Sequence, residues 1–300
     1  MNWKIDQMYD GMTIKYYLRH VHHFSRRLMK AMTKELGAFK INDVERFAYD
    51  VLHTGDMLSV QFPNETRSEH ICSQDIPLNI IYEDDAVLVL DKPAGMAVMP
   101  SMNQPNGTLA NALAGYYEQN RLSYTVHIVT RLDKDTSGLV LVAKHRYAHM
   151  VLSEAQKNTS IKRSYVAIIQ GTLPVQEGVF TAPIGRKQDS VVERVVRPDG
   201  QKAVTHFQVR EAYADHTVVD VRLETGRTHQ IRVHFSHAGY PLAGDTLYGG
   251  RQRMIMRQAL HSTFLEFEHP ITKAWHSFHS PIPPDMQQVC QASSFASVNS

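Results

Sequence analysis

Arg131-Leu132-Asp133-Lys134-Asp135-Thr136-Ser137-Gly138 sets two carboxylates among cations, directly ahead of the apolar run Leu139-Val140-Leu141-Val142-Ala143. The run reads as a buried strand, so Asp133 and Asp135 fall in the loop at its mouth, where a scaffold usually presents its chemistry. A carboxylate there can attack as a nucleophile, and two together could divide an acid–base task. The same residues also suit a structural turn, since Asp, Thr and Ser side chains bond nearby backbone and Gly138 closes the bend.

Two further groups could complete such a site. Arg232 lies in a segment, residues 227 to 238, that reads as a helix bounded by Gly226 and Gly239. Ile231, Phe235 and Ala238 form its buried face, and Arg232 sits one residue off that face, where its stem packs while its guanidinium reaches a cleft. A carboxylate inside a closed pocket keeps its charge more easily beside such a cation. Tyr165 opens an apolar strand, Val166 to Ile169, behind the basic pair Lys162 and Arg163. Strand tyrosines are usually packing residues.

The chain carries 17 histidines, which raises the question of a metal. His145 and His149 are four apart and His234 and His237 three apart, but neither pair has the intervening Glu or nearby Cys of a specific ligand set. No metal is expected.

The elements that must position these groups belong to a chain of 300 residues, enough for one large domain with a smaller one. Net charge is only +2, so composition alone does not point to nucleic acid. Cys72 and Cys290 make neither a disulfide framework nor a zinc ribbon and suit a reducing compartment. There is no apolar run long enough to span a bilayer, and Lys4, Asp6 and Asp10 interrupt any signal-peptide core. The expected location is the cytoplasm, with no membrane partner.

Local charge is more telling. Between Gly11 and Asn42 seven basic residues face one acid, Glu35. Ser25 as N-cap and Gly37 beyond the C-terminus predict a helix over residues 26–36. Leu28, Met32 and Leu36 would be its core stripe, and Arg26, Lys30 and Lys34 a basic stripe on the other side. Phe39 to Asn42 reads as a short strand, and Thr54-Gly55-Asp56 as a turn into a strand from Met57 to Phe62.

Several of these segments resemble the RluA-type pseudouridine synthases. Arg131-Leu132-Asp133 with Thr136-Ser137-Gly138 resembles the central motif of that family. Tyr82 to Asp85, leading through Val87 to Leu90 into Lys92-Pro93-Ala94-Gly95, resembles the first motif. Lys162 to Ala167 resembles its Lys-x-x-Tyr-x-Ala strand. Gly226 to His234, continuing into Gly239 to Asp245, resembles its third motif. Leu265 to Pro270 followed by Pro281-Ile282-Pro283 resembles its closing segment. The order is the family's, over roughly residues 80 to 285. Thr130 and Met99 stand where many relatives have His.

The resemblance implies an α+β fold: a catalytic domain with a mixed, largely antiparallel sheet flanked by helices around a central cleft, plus a small N-terminal α/β module. It implies that Asp133, and not Asp135, is the catalytic carboxylate, that Arg232 pairs with it, and that Tyr165 lies against the target uracil as platform or base. It also implies that Arg131 fills the gap left by a flipped nucleotide. Arg227 would contact phosphate. The region after Gly11 resembles the small RNA-binding domain named after ribosomal protein S-four, although Asp43 stands where Gly is common. The expected division is an RNA-binding module over 11–63, a linker over 64–75, a catalytic domain over 76–285 and a tail over 286–300. The expected activity is isomerisation of uridine to pseudouridine, without metal or nucleotide cofactor, in RNA. Large-subunit ribosomal RNA is the first choice of target and transfer RNA the second. The rival readings are a non-catalytic RNA-binding or ribosome-assembly factor, a metal-dependent RNA hydrolase, and a sugar hydrolase using Asp133 with Asp135.

Overall fold

Two sheets divide the molecule near residue 62. The computed structural model describes residues 1–62, 65 and 71–294, with side chains through 290. Near the N-terminus, β1 (Asn2–Lys4), β2 (Phe39–Ile41), β3 (Val44–Arg46) and β4 (Met57–Val60) form a sheet in the order β1-β4-β2-β3. Helices α1 (Ile14–His20) and α2 (Arg26–Met32) cover it, burying Leu18, Leu28 and Met32 with Phe39 and Leu58.

Helix α2 starts at the expected cap, where Ser25 Oγ accepts the Leu28 N–H at 3.1 Å. It ends four residues earlier than the periodicity predicts. Thr33 Oγ1 bonds back to the Met29 and Lys30 carbonyls at 3.0 and 3.2 Å, and residues 33–37 unwind into turns that bring the chain round to β2. Leu36 therefore leaves the core and is 92% exposed, and Lys34 lies beyond the helix. The buried set is Leu28, Met29 and Met32.

Among the described residues the large sheet holds ten strands. They are β5 (Ile80–Glu83), β6 (Val87–Lys92), β7 (His127–Ile128), β8 (Ser137–Ala143), β9 (Lys162–Gln170), β10 (Glu177–Phe180), β13 (Thr205–Ala212), β14 (His216–Leu223), β15 (Leu260–Glu268) and β16 (Trp275–His279); the short β11 (Ile184–Arg186) and β12 (Arg194–Val196) pair separately. The main path runs β10-β13-β14-β9-β15-β8-β6-β5, with β16 on β15 and β7 on β8. Among the described residues only the β8–β15 pairing is parallel, so the sheet is mixed and largely antiparallel, as expected. Every residue of β8 is buried, because the strand lies inside the sheet and is covered on both faces. Gly138 allows its parallel contact: a Cβ there would lie 2.2 Å from the Ser262 carbonyl oxygen, and the residue adopts φ +108°.

Helices α3 (Leu109–Gln119), α4 (Arg146–Lys157), α5 (Gln230–His237) and α6 (Pro284–Ser294) flank this sheet. Residues 286–294, expected to trail, belong to α6, whose Met286 and Val289 are buried with Val166, Ile168 and Val218. Residues 295–300 of the expected tail lie outside the described residues, as do 64 and 66–70 of the expected linker. Where the linker is described it is tied down: Asn111 Nδ2 donates to the Cys72 carbonyl at 2.8 Å, and Gln74 Oε1 accepts from Gly107 N at 2.7 Å. The small sheet's core extends onto α4 through Tyr147, whose ring lies 5.0 Å from Phe24 and 5.7 Å from Phe62.

Candidate active site

Asp133 stands in the turn before β8, its side chain 23% exposed in the wall of a cleft of about 1030 Å³. Lys92 anchors that turn. Its ammonium is buried and donates to the carbonyls of Pro93 and Met96, both at 2.8 Å, and of Lys134 at 3.0 Å. Burial lowers its pKa to about 8, against the pull of Asp135 and Asp133. The lysine of the first motif thus ties β6 to the loop that carries Asp133.

Arg232 reaches Asp133 from α5. Its Nη1 donates to Asp133 Oδ2 at 3.0 Å, while Nε and Nη2 donate to the two oxygens of buried Asp245 at 2.7 and 2.8 Å. The Tyr248 ring lies beneath the guanidinium, 4.9 Å from its carbon. Burial works against the charge, but Asp245 and Asp133 outweigh it and hold the guanidinium firmly protonated. Its planar fork is therefore shared between two carboxylates, one clamping and one facing the cleft.

Helix α5 differs from its expected span. It begins at Gln230, because Gln230 folds back to accept from Arg227 N–H at 2.9 Å and from Thr225 Oγ1 at 2.8 Å. Ile231 and Phe235 are buried as expected, whereas Ala238 is exposed at the helix end. Arg227 lies before the helix, exposed on the cleft, with Nε donating to the Lys202 carbonyl at 3.0 Å. His229 precedes Gln230 with φ +58°, an uncommon backbone for a residue with a side chain. Its Nε2 lies 3.8 Å from Asp133 Oδ1 and its Nδ1 2.8 Å from Tyr248 Oη. Burial lowers the imidazole's pKa, with Asp133 opposing, so the ring is neutral at neutral pH.

Tyr165 is buried in β9 and lines the same cleft as Asp133, Arg131 and Arg163. Burial raises the pKa of its phenol. Asp133 pushes the same way, while Arg163 pulls it down. The fold thus brings Asp133, Tyr165, Arg232, Arg131 and Arg227 to one cleft. Arg26, Lys30 and Lys34 are exposed on the N-terminal module and are not among the residues that line it. The sequence reading passed over Asp245, Tyr248, His229 and Arg163 as site residues. Asp245 had a legible signal, being a lone carboxylate in an apolar, glycine-bounded segment; for Tyr248, composition and spacing offered none.

The histidine pairs have other duties. His145 Nδ1 accepts the Ala148 N–H at the start of α4, and His149 stacks on His127 at 5.0 Å. His234 spends both ring nitrogens, on Thr205 Oγ1 and the Ala182 carbonyl. Among the described residues no three His, Cys, Asp or Glu side chains converge as a metal would need.

Residues 86–237 match the family described as RNA pseudouridylate synthase. An uncharacterized RNA pseudouridine synthase of Bacillus subtilis, YjbO, is 49% identical over 93% of this chain and 98% of its own length. The ribosomal large subunit pseudouridine synthase D of Xanthomonas campestris is 40% identical over 90% of this chain and 85% of its own. That of Pseudomonas aeruginosa is 43% identical over 79% and 78%. In fold, the chain resembles the structure of human RNA pseudouridylate synthase domain containing 4, at a TM-score of 0.60 and 20% identity over 72% of this chain and 93% of that one.

Proposed function

The chain belongs to the RluA-type family of RNA pseudouridine synthases, and from that premise we propose that it isomerises uridines of large-subunit ribosomal RNA in the cleft around Asp133. It is an isomerase acting on RNA. Such a reaction breaks the bond from ribose C1′ to uracil N1, turns the base and rejoins it through C5. No group is gained or lost, so neither a redox cofactor nor an energy source is required. A reactive carboxylate and a closed pocket that retains the loose base are.

The observation that carries the site assignment is the ion pair of Asp133 with Arg232 at the cleft wall. Asp245 holds the arginine, the arginine aims the carboxylate, and Lys92 secures the turn that bears it. Asp133 is thereby pre-organised to react at the nucleoside, which suits catalysis by positioning. Tyr165 supplies the stacking face for the uracil. Its pKa, raised by burial, keeps the phenol protonated at neutral pH, so it serves as ring and hydrogen-bond donor rather than as a standing base. The glycosidic bond of a stacked nucleotide is out of reach, so the target must be extruded. Arg131, exposed at the cleft, occupies the gap left behind, and Arg227 meets the flanking phosphate.

Residues 76–285 are the catalytic domain in this reading, and 11–63 an S-four-type RNA-binding module whose contacts include Arg26, Lys30 and Lys34. The names of the Xanthomonas and Pseudomonas relatives support large-subunit ribosomal RNA as the target. Cytoplasmic localisation follows from that target; among the described residues no helix is long and apolar enough to cross a membrane.

A transcriptome-wide pseudouridine map in cells with and without the protein tests this. The expected result is loss of one or a few sites in large-subunit ribosomal RNA. Loss confined to transfer RNA would move the target, and no lost site would overturn the activity.

A further inference from the structure

Arg163 is a buried cation that forms no ion pair among the described residues. It lies two residues before Tyr165 in β9, so both side chains project from the same face of the strand. The residue is 7% exposed, and its Nε is buried without a hydrogen-bond partner. Among the described residues no carboxylate forms an ion pair with it. Its guanidinium lies against the backbone of Gly226, where an added Cβ would come within 3.1 Å of Nη2 and 3.3 Å of Nη1, and its charge acts on the neighbouring Tyr165 phenol. Arg163, Tyr165, Gly226 and Asp133 all line the one cleft.

An unpaired charge in such a place opposes folding, because the water it gives up is not replaced by an anion. A hydrophobic side chain of similar length would fill the same space at no such cost. The position therefore serves something other than stability. Isomerisation supplies the missing partner. When the C1′–N1 bond breaks, its electron pair leaves with the base, and the detached uracil is an anion with charge shared over N1, O2 and O4. When C5 of that base bonds to C1′, the pair is used. The C5 proton then departs and N1 gains one, which restores a neutral uracil. Negative charge on the base exists between these two events and is absent from both substrate and product.

We infer that Arg163 is a catalytic residue that binds the detached uracil anion, its guanidinium taking the charge the base carries between cleavage at N1 and closure at C5. The inference rests on the Asp133 cleft being the site of reaction. A fixed, buried cation at the cleft stabilises that anion far more than it stabilises neutral uridine, so it lowers the barrier without tightening substrate binding. Gly226 leaves the guanidinium room, since a Cβ there would make a tight contact with it.

The test compares Arg163→Met, Arg163→Gln, Arg163→Lys and Asp133→Asn in the full-length protein. Three quantities are measured with a uridine-containing RNA substrate: single-turnover rate, RNA dissociation constant and Tm. Arg163→Met is expected to slow the single-turnover rate by roughly 100- to 1,000-fold, the range for loss of a preorganised anion-stabilising donor. It should also bind RNA within about threefold of the parent and melt at a higher temperature, because a buried unpaired charge has been removed. Arg163→Gln should lose rate to a similar degree, and Arg163→Lys should lose less. An unchanged rate in both neutral variants overturns the inference. So does a loss appearing only in the dissociation constant, which would make Arg163 a contact for backbone phosphate. A lower Tm in Arg163→Met, or failure to fold, would make it a structural residue. Activity in Asp133→Asn would instead overturn the assignment of the cleft, and this inference with it.

Discussion

Asp245 grips Arg232 with both carboxylate oxygens, accepting from Nε at 2.7 Å and from Nη2 at 2.8 Å, and leaves Nη1 for Asp133 at 3.0 Å. A single planar fork thus spans a buried anchor and a cleft-facing carboxylate. Lysine carries the same charge but cannot divide it in this way. Arg232→Lys is expected to fall at least about a hundredfold in single-turnover rate, on the scale of losing one positioned donor. Asp245→Ala should lose activity as well and cost about 3–5 kcal/mol of stability, as expected when one member of a buried pair is removed. Urea unfolding and single-turnover assays check both; parental kinetics in either variant would contradict the clamp.

Asp133→Asn should bind RNA and form no measurable pseudouridine, because the amide matches the shape of the carboxylate but lacks its negative charge. Asp135→Asn should keep substantial activity. Asp135 contributes to the loop through its main chain, its carbonyl accepting from Arg257 Nη1 at 3.1 Å. Tritium release from RNA labelled at uridine C5 distinguishes the two. Equal losses would remove the difference in their roles.

Activity should persist after exhaustive treatment with a chelator, since no step of the isomerisation calls for a Lewis acid. The assay is pseudouridine formation before and after chelation, with zinc or magnesium added back. Recovery that depends on added metal would refute this chemistry, provided the RNA itself stays folded.

Acid should destabilise the fold through two half-buried histidines, His22 and His145. Burial lowers the pKa of His145 and that of His22 from an ordinary 6.5 to about 4. Between pH 6.5 and 4 the unfolded chain takes up protons that the native chain refuses, so stability present above pH 6.5 is lost progressively as pH falls toward 4. His145→Asn retains a good helix N-cap for the Ala148 N–H and removes one of these groups. The variant should lose about 1–3 kcal/mol less than the parent over that window, by proton linkage. Urea midpoints at pH 7 and pH 4.5 report the difference, and identical pH slopes would count against it.

Replacing Arg26, Lys30 and Lys34 with Gln should weaken RNA binding without unfolding α2, because Gln has similar helix propensity. Each phosphate contact removed should flatten log affinity against log salt by roughly 0.7 to 0.9. Turnover at saturating RNA should hold, since these residues are not among those lining the cleft. Lys34 lies past the helix end, so its single replacement should contribute least to any effect that needs an ordered stripe. An unchanged slope for the triple variant would leave these residues as a solvated surface.

Local pattern sufficed for much of this protein. The seven buried residues of β8 are apolar or small, so the strand and the loop at its mouth could be read directly, and Ser25 announced the start of α2. The motif order named Asp133, Tyr165 and Arg232 and implied the α+β class. Local pattern failed where the chain turns under tertiary control. Leu36 and Ala238 continue a helical period, yet they fall where Thr33 and the approach of Gly239 end their helices. The charge state of the cleft was further out of reach. Arg232 meets Asp133 across 99 positions, and whether Arg163 has a partner depends on what β14, α5 and β15 bring beside β9. Periodicity reports which face of an element is buried, because burial repeats with the backbone. It does not report which charges meet inside, because that depends on how separate elements pack, and here packing gives Arg232 two carboxylates and Arg163 none among the described residues.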